Sequence, residues 1–302
     1  MRKAMVVRAG SAIGRELIEK LVSLGIETVA FSKSESKLRE IKESYMQTTD
    51  LHIVKGNIRN EAELSAAAEG VDVIFCASYV TYDEKPGTVS KMKAAVMEAA
   101  ERTGAKVVMI EGVYRPNVGE NKQIMNQITT ATIIPLLRIY SPELYGASVR
   151  NTVIHNILKK NAQAISVKVP GSLSAKRHYL YLPDAANLMI DLASRDSAYG
   201  EEWNLRSGET ISIEELSLIA SSVVGRKPNL VPIKGWRMRL LQGYDSRIKE
   251  VLNNYESATQ TTQFNGSYFE EGAATTTYET GITETVGRMI SAMHENQKYG
   301  KD

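Results

Sequence analysis

The chain has 302 residues, 43% of them hydrophobic, and 37 Lys and Arg against 35 Asp and Glu give it a formal net charge of +2. That balance offers no electrostatic reason to expect nucleic acid or an acidic membrane surface as a partner, and no apolar run is long enough to span a bilayer. A single cysteine, Cys76, excludes an internal disulfide and a cysteine-based metal site, so a soluble protein of the reducing cytoplasm is expected.

The first thirty residues carry the strongest signal. Residues 3–7 read as a short buried strand and 8–14, Arg-Ala-Gly-Ser-Ala-Ile-Gly, as a tight turn of small residues. Residues 12–24 follow as a helix with Ile13, Leu17, Ile18, Leu21 and Val22 on its apolar side, stopped by Gly25 before a second strand over 28–31. Strand, glycine turn and amphipathic helix in this order make the opening βα unit of a dinucleotide-binding fold, in which backbone N–H groups at a helix N-terminus cradle a pyrophosphate. Gly14 sits where helix and strand pack closely, Gly10 is expected to supply a positive φ, and Arg8 puts a long cation into the turn. The second strand ends Phe31-Ser-Lys-Ser34 with no acid before Glu35. Ser32 and Lys33 suit an adenosine 2′-phosphate better than a bare diol, which favours NADP(H), with NAD(H) possible.

Further strand patterns fall at 52–54, 71–77, 106–110 and 133–139, alternating with helix patterns at 36–45, 61–68, 88–103 and 121–130. Continuously apolar strands with short connections predict a doubly wound parallel sheet covered on both faces. After 140 the spacing predicts helices over 149–160, 183–193, 213–224 and 278–298 and a strand over 166–169. The third of these helices opens with the capping box Ser212-Ile-Glu-Glu215, and the fourth with Thr276-Thr-Tyr-Glu279. Residues 244–272 are polar and read as loop. The fold class expected is α/β, a doubly wound parallel Rossmann sheet with a smaller mixed α/β C-terminal lobe. Residues 1–140 are expected to form the nucleotide-binding domain with 176–205 packing back onto it, and 141–175 with 206–302 a substrate lobe. His52, His155, His178 and His294 are scattered without metal-ligand spacing, and no metal is expected.

Several segments resemble the extended and atypical short-chain dehydrogenase/reductase superfamily, in particular its NAD(P)-dependent epimerase/dehydratase members. Arg8, Ser11 and Gly14 fall on the three positions of that family's glycine loop, with Gly10 displaced. Residues 52–59 resemble the third strand, which places Asn57 and Ile58 against the adenine. Residues 69–75 resemble the fourth strand, after which Ala77 and Ser78 face the cofactor. Residues 137–146, 177–186 and 200–205 resemble the sixth strand with its Tyr-Gly turn, the later Arg-x-x-x-Tyr-Val-x-Asp segment, and the Tyr-Asn-Leu strand. The resemblance implies a cofactor held by Arg8, Gly10, Ser11, Ala12, Ile13, Gly14, Ser32, Lys33, Asn57, Ile58, Ala77, Ser78, Lys122 and Tyr140. It also implies a small or nucleoside-diphosphate-sugar substrate at Tyr145, Asn151 and Arg177. Helices 88–103 and 121–130 commonly build a homodimer interface in such enzymes, while Met92, Ala95, Val96 and Ala99 of the first suit packing on the sheet equally well.

The family's chemistry rests on a Tyr-x-x-x-Lys pair and a Ser or Thr after the fifth strand; the lysine lowers the tyrosine pKa so that the phenol exchanges a proton with the reacting carbonyl. This chain has no Tyr-x-x-x-Lys. Lys122 matches the lysine, Val118 stands four residues before it, and Glu111 and Gly112 occupy the hydroxyl position. Tyr114 and Glu111, with Lys122, are therefore the catalytic candidates, and Tyr140 is a further acid. Three readings stay open: an enzyme with a displaced acid, a catalytically inactive nucleotide-binding sensor, and a scaffold that has lost its cofactor.

Overall fold

The computed structural model describes residues 1–77, 88–112, 134–233, 267–269 and 275–298. The first half alternates β1 (Lys3–Val7), α1 (Ala12–Ser23), β2 (Glu27–Ser32), α2 (Glu35–Ser44), β3 (Leu51–Lys55), α3 (Glu61–Ala67), β4 (Val73–Cys76), α4 (Thr88–Thr103), β5 (Lys106–Gly112) and β6 (Leu136–Ser141). There follow β7 (Glu143–Tyr145), α5 (Val153–Ala162), β8 (Val167–Pro170), β9 (Tyr179–Tyr181), α6 (Leu182–Ala193) and β10 (Glu202–Leu205). The chain closes with α7 (Ile213–Ser222), β11 (Leu230–Ile233), β12 (Ser267–Phe269) and α8 (Tyr278–Lys298).

Among the described residues the main sheet has eight strands in the order β12-β10-β6-β5-β4-β1-β2-β3, and every neighbouring pair is parallel. This is the α/β Rossmann architecture that the alternating pattern predicts. Side chains alternate across the sheet as the two-residue strand period requires. Ala4 and Val6 of β1 join one buried cluster with Ile13, Leu17 and Leu21 of α1 and Met189 of α6. Met5 and Val7 join the other, with Leu64 of α3 and Val96 of α4. Both faces are thus sealed, which is why the strands read as unbroken apolar runs.

A third cluster lies apart, where Ile154, Ile157 and Leu158 of α5, Leu216 and Ala220 of α7, and Ile282 and Val286 of α8 pack together with Tyr145 and Tyr179. Two small parallel pairs, β8 with β11 and β7 with β9, accompany it.

Several boundaries differ from the sequence reading. Helix α5 starts four residues after the expected 149, because Asn151 takes φ +57° and Thr152 is the N-cap, its Oγ1 accepting the His155 N–H at 3.1 Å. The Ser212 capping box is present with both of its hydrogen bonds. The second box is not formed as expected. Thr277 Oγ1 accepts the Thr280 N–H at 3.2 Å, while Thr276 donates from N and Oγ1 to Asp184 at 2.7 and 3.0 Å. Within the stretch read as loop, residues 267–269 pair with β10 as β12. Strands β7, β9 and β11 carried no period-2 signal long enough to read. The helix expected at 121–130 lies outside the described residues.

Candidate functional site

The direction of strand order reverses between β1 and β4, the point at which a doubly wound sheet opens a crevice at its carboxyl edge. The turn after β1 stands there. Its Ala9 N–H donates to Phe31 O of β2 at 3.1 Å, and Ser11 N–H closes back on Arg8 O at 2.8 Å. Ser11 is the N-cap of α1: its hydroxyl accepts the Gly14 N–H at 3.1 Å and donates to Ala77 O beyond β4 at 3.2 Å. One hydroxyl therefore fixes the helix start and ties it across the switch point to the neighbouring strand.

The positive φ expected of Gly10 belongs instead to Arg8, at +63°. That is the glycine position of the resembling loop, and here a non-glycine residue takes the left-handed conformation at a cost of about 1–2 kcal/mol. Gly14 is required by contact. A Cβ there would lie 2.6 Å from Arg8 O, 2.9 Å from Ser11 Oγ and 3.0 Å from Ala9 O. Gly10 makes room for a residue that the sequence reading did not single out: a Cβ on it would lie 2.5 Å from Cδ and 2.8 Å from Cβ of Lys37 in α2. Ile13 is buried, while Arg8, Gly10, Ser11 and Ala12 are partly exposed. No acid stands in the first turn of α1. A capped helix start, backbone too close for a Cβ at Gly14, and no opposing carboxylate fit an anionic pyrophosphate.

Beside the turn, Ser32 Oγ accepts the Ser34 N–H at 3.2 Å and Lys33 is exposed. Gly56, whose added Cβ would strike the buried Phe31 ring at 2.5 Å, brings the end of β3 against β2. Asn57 is exposed, with its Oδ1 taken by the Arg59 N–H at 3.1 Å and its own N–H donated to Glu63 at 2.6 Å; Ile58 is partly buried beside it. Ala77 is fully buried.

At the end of β5, Glu111 accepts from Lys93 Nζ of α4 at 2.9 Å, and the two side chains are 22% and 9% exposed. Lys93 gave no signal in sequence, since it lies inside the helical face made by Met92, Ala95 and Val96. Glu111 stands in register with Tyr140 of β6. The Tyr140 hydroxyl donates to Glu202 Oε1 at 3.2 Å, and Arg138 meets the same oxygen at 2.6 Å. Tyr140 stands in register with Asn204, so its hydroxyl reaches two residues back along β10 to Glu202. Tyr114, Lys122 and Ser78 lie outside the described residues.

The three substrate candidates differ in their burial. Arg177 is 5% exposed and its backbone bridges Ile211. Asn151 is exposed at the start of α5. Tyr145, expected beside a ligand, is 1% exposed in the third apolar cluster, its ring 5.3 Å from Tyr181 and 6.2 Å from Tyr278. It packs on α8 where Gly281 has no side chain. Next to Arg177, His178 Nδ1 meets Ser207 Oγ at 3.1 Å, and Ser207 meets the Tyr278 hydroxyl at 2.8 Å. Burial and the nearby Arg206 hold the His178 pKa down. Among the described residues no three His, Cys, Asp or Glu come together as a metal site, and no helix is long and apolar enough to cross a membrane.

Residues 9–133 match a protein-family model described as NAD(P)H-binding. The match covers the first, alternating part of the chain and ends before β6. No curated protein matches it in sequence. Solved structures with the same fold include the UDP-glucuronic acid 4-epimerase of Bacillus cereus in complex with NAD, at 15% identity and a TM-score of 0.68 over 96% of this chain and 99% of that one. The dTDP-glucose 4,6-dehydratase of Bacillus anthracis in complex with NAD matches at 16% identity and a TM-score of 0.70 over 99% and 98%. The UDP-glucose 4-epimerase of Thermotoga maritima, solved with UDP-glucose, matches at 12% identity and a TM-score of 0.67 over 96% and 99%. The similarity in fold thus spans the third apolar cluster as well as the main sheet.

Proposed function

We propose that this protein is an NADP(H)-dependent oxidoreductase or epimerase/dehydratase acting on a nucleoside-diphosphate sugar, with a non-standard catalytic site. The observation that carries the reading is the Ser11-capped turn at the β1/β4 switch point, tied to Ala77 and backed by the Cβ-free contact at Gly14. Residues 10–13 hold the pyrophosphate, and Ser32 and Lys33 receive the adenosine 2′-phosphate. When bound, the nicotinamide ring supplies a hydride acceptor or donor. The chain's own residues orient the sugar and move the proton. Two residues are proposed for that work beside the nicotinamide: Lys122 anchors its ribose, and Tyr114 exchanges the proton at the reacting oxygen. Glu111, fixed by Lys93 at the end of β5, is the next acid available. Arg177 meets the substrate diphosphate, where a guanidinium fork suits bidentate phosphate contact. The similarity to nucleotide-sugar enzymes over both lobes supports the substrate class.

Titration with NADPH and NADH, followed by nicotinamide fluorescence, tests the cofactor reading; failure of both to bind overturns it. Lys33→Glu should weaken NADPH more than NADH. Thermal shift by a nucleoside-diphosphate sugar in the presence of cofactor, lost in Arg177→Ala, tests the substrate class. Tyr114→Phe should lower the chemical rate by roughly 10²-fold while sparing NADPH affinity.

A further inference from the structure

The contact between Gly10 and Lys37 has a bearing on how the cofactor's two phosphate groups are told apart. Gly10 has no left-handed φ, so the absence of a side chain is not explained by its backbone conformation. What a side chain would meet is the stem of Lys37, at 2.5 Å from Cδ, 2.8 Å from Cβ and 3.3 Å from Cγ. The aliphatic stem therefore lies along the turn and reaches the edge of the pyrophosphate loop two bonds short of its ammonium.

Among the described residues, the carboxylates near Lys37 on α2 are paired with other cations. Glu35, two residues before Lys37 on α2, is held by Lys55 at 2.6 Å and by Arg39 at 3.7 Å. Glu40 is held by Arg15 from α1. Among the described residues no carboxylate pairs with Lys37. The place between a glycine turn and the end of β2 is where a dinucleotide's adenosine ribose sits, and here it is bordered by Lys37 on one side and by Ser32 and Lys33 on the other.

We infer that Lys37 joins Ser32 and Lys33 at the 2′-phosphate, clasping it from above Gly10, and contributes the larger share of the selection for NADP(H). The inference rests on the dinucleotide reading proposed above and assigns its specificity to α2. The physical reason is preorganisation. Both lysines are exposed, but the Lys37 stem is laid against the turn at Gly10 and so gives up less rotamer freedom on binding. Gly10 is then a specificity residue in its own right, because its missing Cβ lets the stem lie there.

Dissociation constants for NADPH and NADH, measured by nicotinamide fluorescence on the full chain, test this without any turnover. Lys37→Met should weaken NADPH by about 10- to 100-fold, the size of one charge-assisted phosphate contact, and NADH by far less. Lys37→Arg should restore most of the NADPH affinity. Lys33→Met should have a smaller effect on NADPH than Lys37→Met. Gly10→Ala, which leaves every charge in place but displaces the Lys37 stem, should lower the ratio of NADPH to NADH affinity in the same direction. Equal weakening of both cofactors by Lys37→Met, or a larger effect at Lys33, overturns the assignment to Lys37 while leaving the dinucleotide site standing. Binding of neither cofactor to the unaltered protein would instead overturn the reading on which it rests.

Discussion

Replacing Gly14 by alanine tests the turn at its tightest point, and the structure fixes the sign against simple propensity. Alanine in a helix is favoured over glycine by up to about 1 kcal/mol. At Gly14 the new methyl would sit 2.6 Å from Arg8 O and 3.0 Å from Ala9 O, which are backbone atoms, and 2.9 Å from Ser11 Oγ. Backbone cannot move aside as a flexible side chain can, and overpacking of this kind costs about 1–3 kcal/mol. Displacing Ser11 also removes the N-cap bond to Gly14 and the tie to Ala77, worth about 1 kcal/mol together. The net expectation is a loss of about 1–3 kcal/mol, a fall in Tm of roughly 2–5 °C. Gly287→Ala is the control. It lies in α8 with nothing within 4 Å of its added Cβ, so it should gain about 0.5–1 kcal/mol. Urea unfolding of both variants at constant m-value reads the difference. A Gly14→Ala protein as stable as the control would refute the close approach of α1 to the turn.

Gly281→Ala, in the same helix as the control, should lower Tm, because its Cβ would lie 2.5 Å from the hydroxyl and 3.2 Å from the ring of the buried Tyr145; a rise would sink the packing assigned to that tyrosine. Lys93→Met should cost about 2–4 kcal/mol by stranding the Glu111 carboxylate, and adding Glu111→Gln should recover most of it, with urea melts of the single and double variants deciding. His155 is 7% exposed, and burial, with Arg150 and Lys159 nearby, lowers its pKa to about 4. An unfolded histidine titrates near pH 6.5, so the unfolded state binds more protons between roughly pH 6.5 and 4, and stability falls through that window as pH drops. His155→Leu should flatten this dependence, whereas an unaltered slope would assign the loss to His178 or to other groups.

The opening unit was legible because it is local. Residues 3–7 and 12–23 have apolar spacings that suit only a buried strand and an amphipathic helix, and Ser212 caps α7 through residues three positions apart. The sheet class followed from the same local rule, since strands covered on both faces must be apolar throughout. Gly14 was legible as a glycine, but its reason, the Arg8 and Ala9 carbonyls, exists only once the turn is closed.

The short strands β7, β9, β11 and β12 were not legible, because three or four residues show no periodicity and their pairing partners lie far away in sequence. Tyr145 looked like a ligand contact in sequence and is core, because only the arrival of α8 covers its ring. Lys93 and Lys37 were invisible for the same reason: each takes its meaning from a residue on another element, Glu111 in one case and Gly10 in the other. The sequence by itself determined which segments become strands and helices and that the first turn opens on a capped helix start free of acids, since hydrophobic period and capping act over three or four residues. Tertiary structure decided which side chains border that turn, because contacts between α1, α2, β4 and β5 depend on how the sheet is assembled.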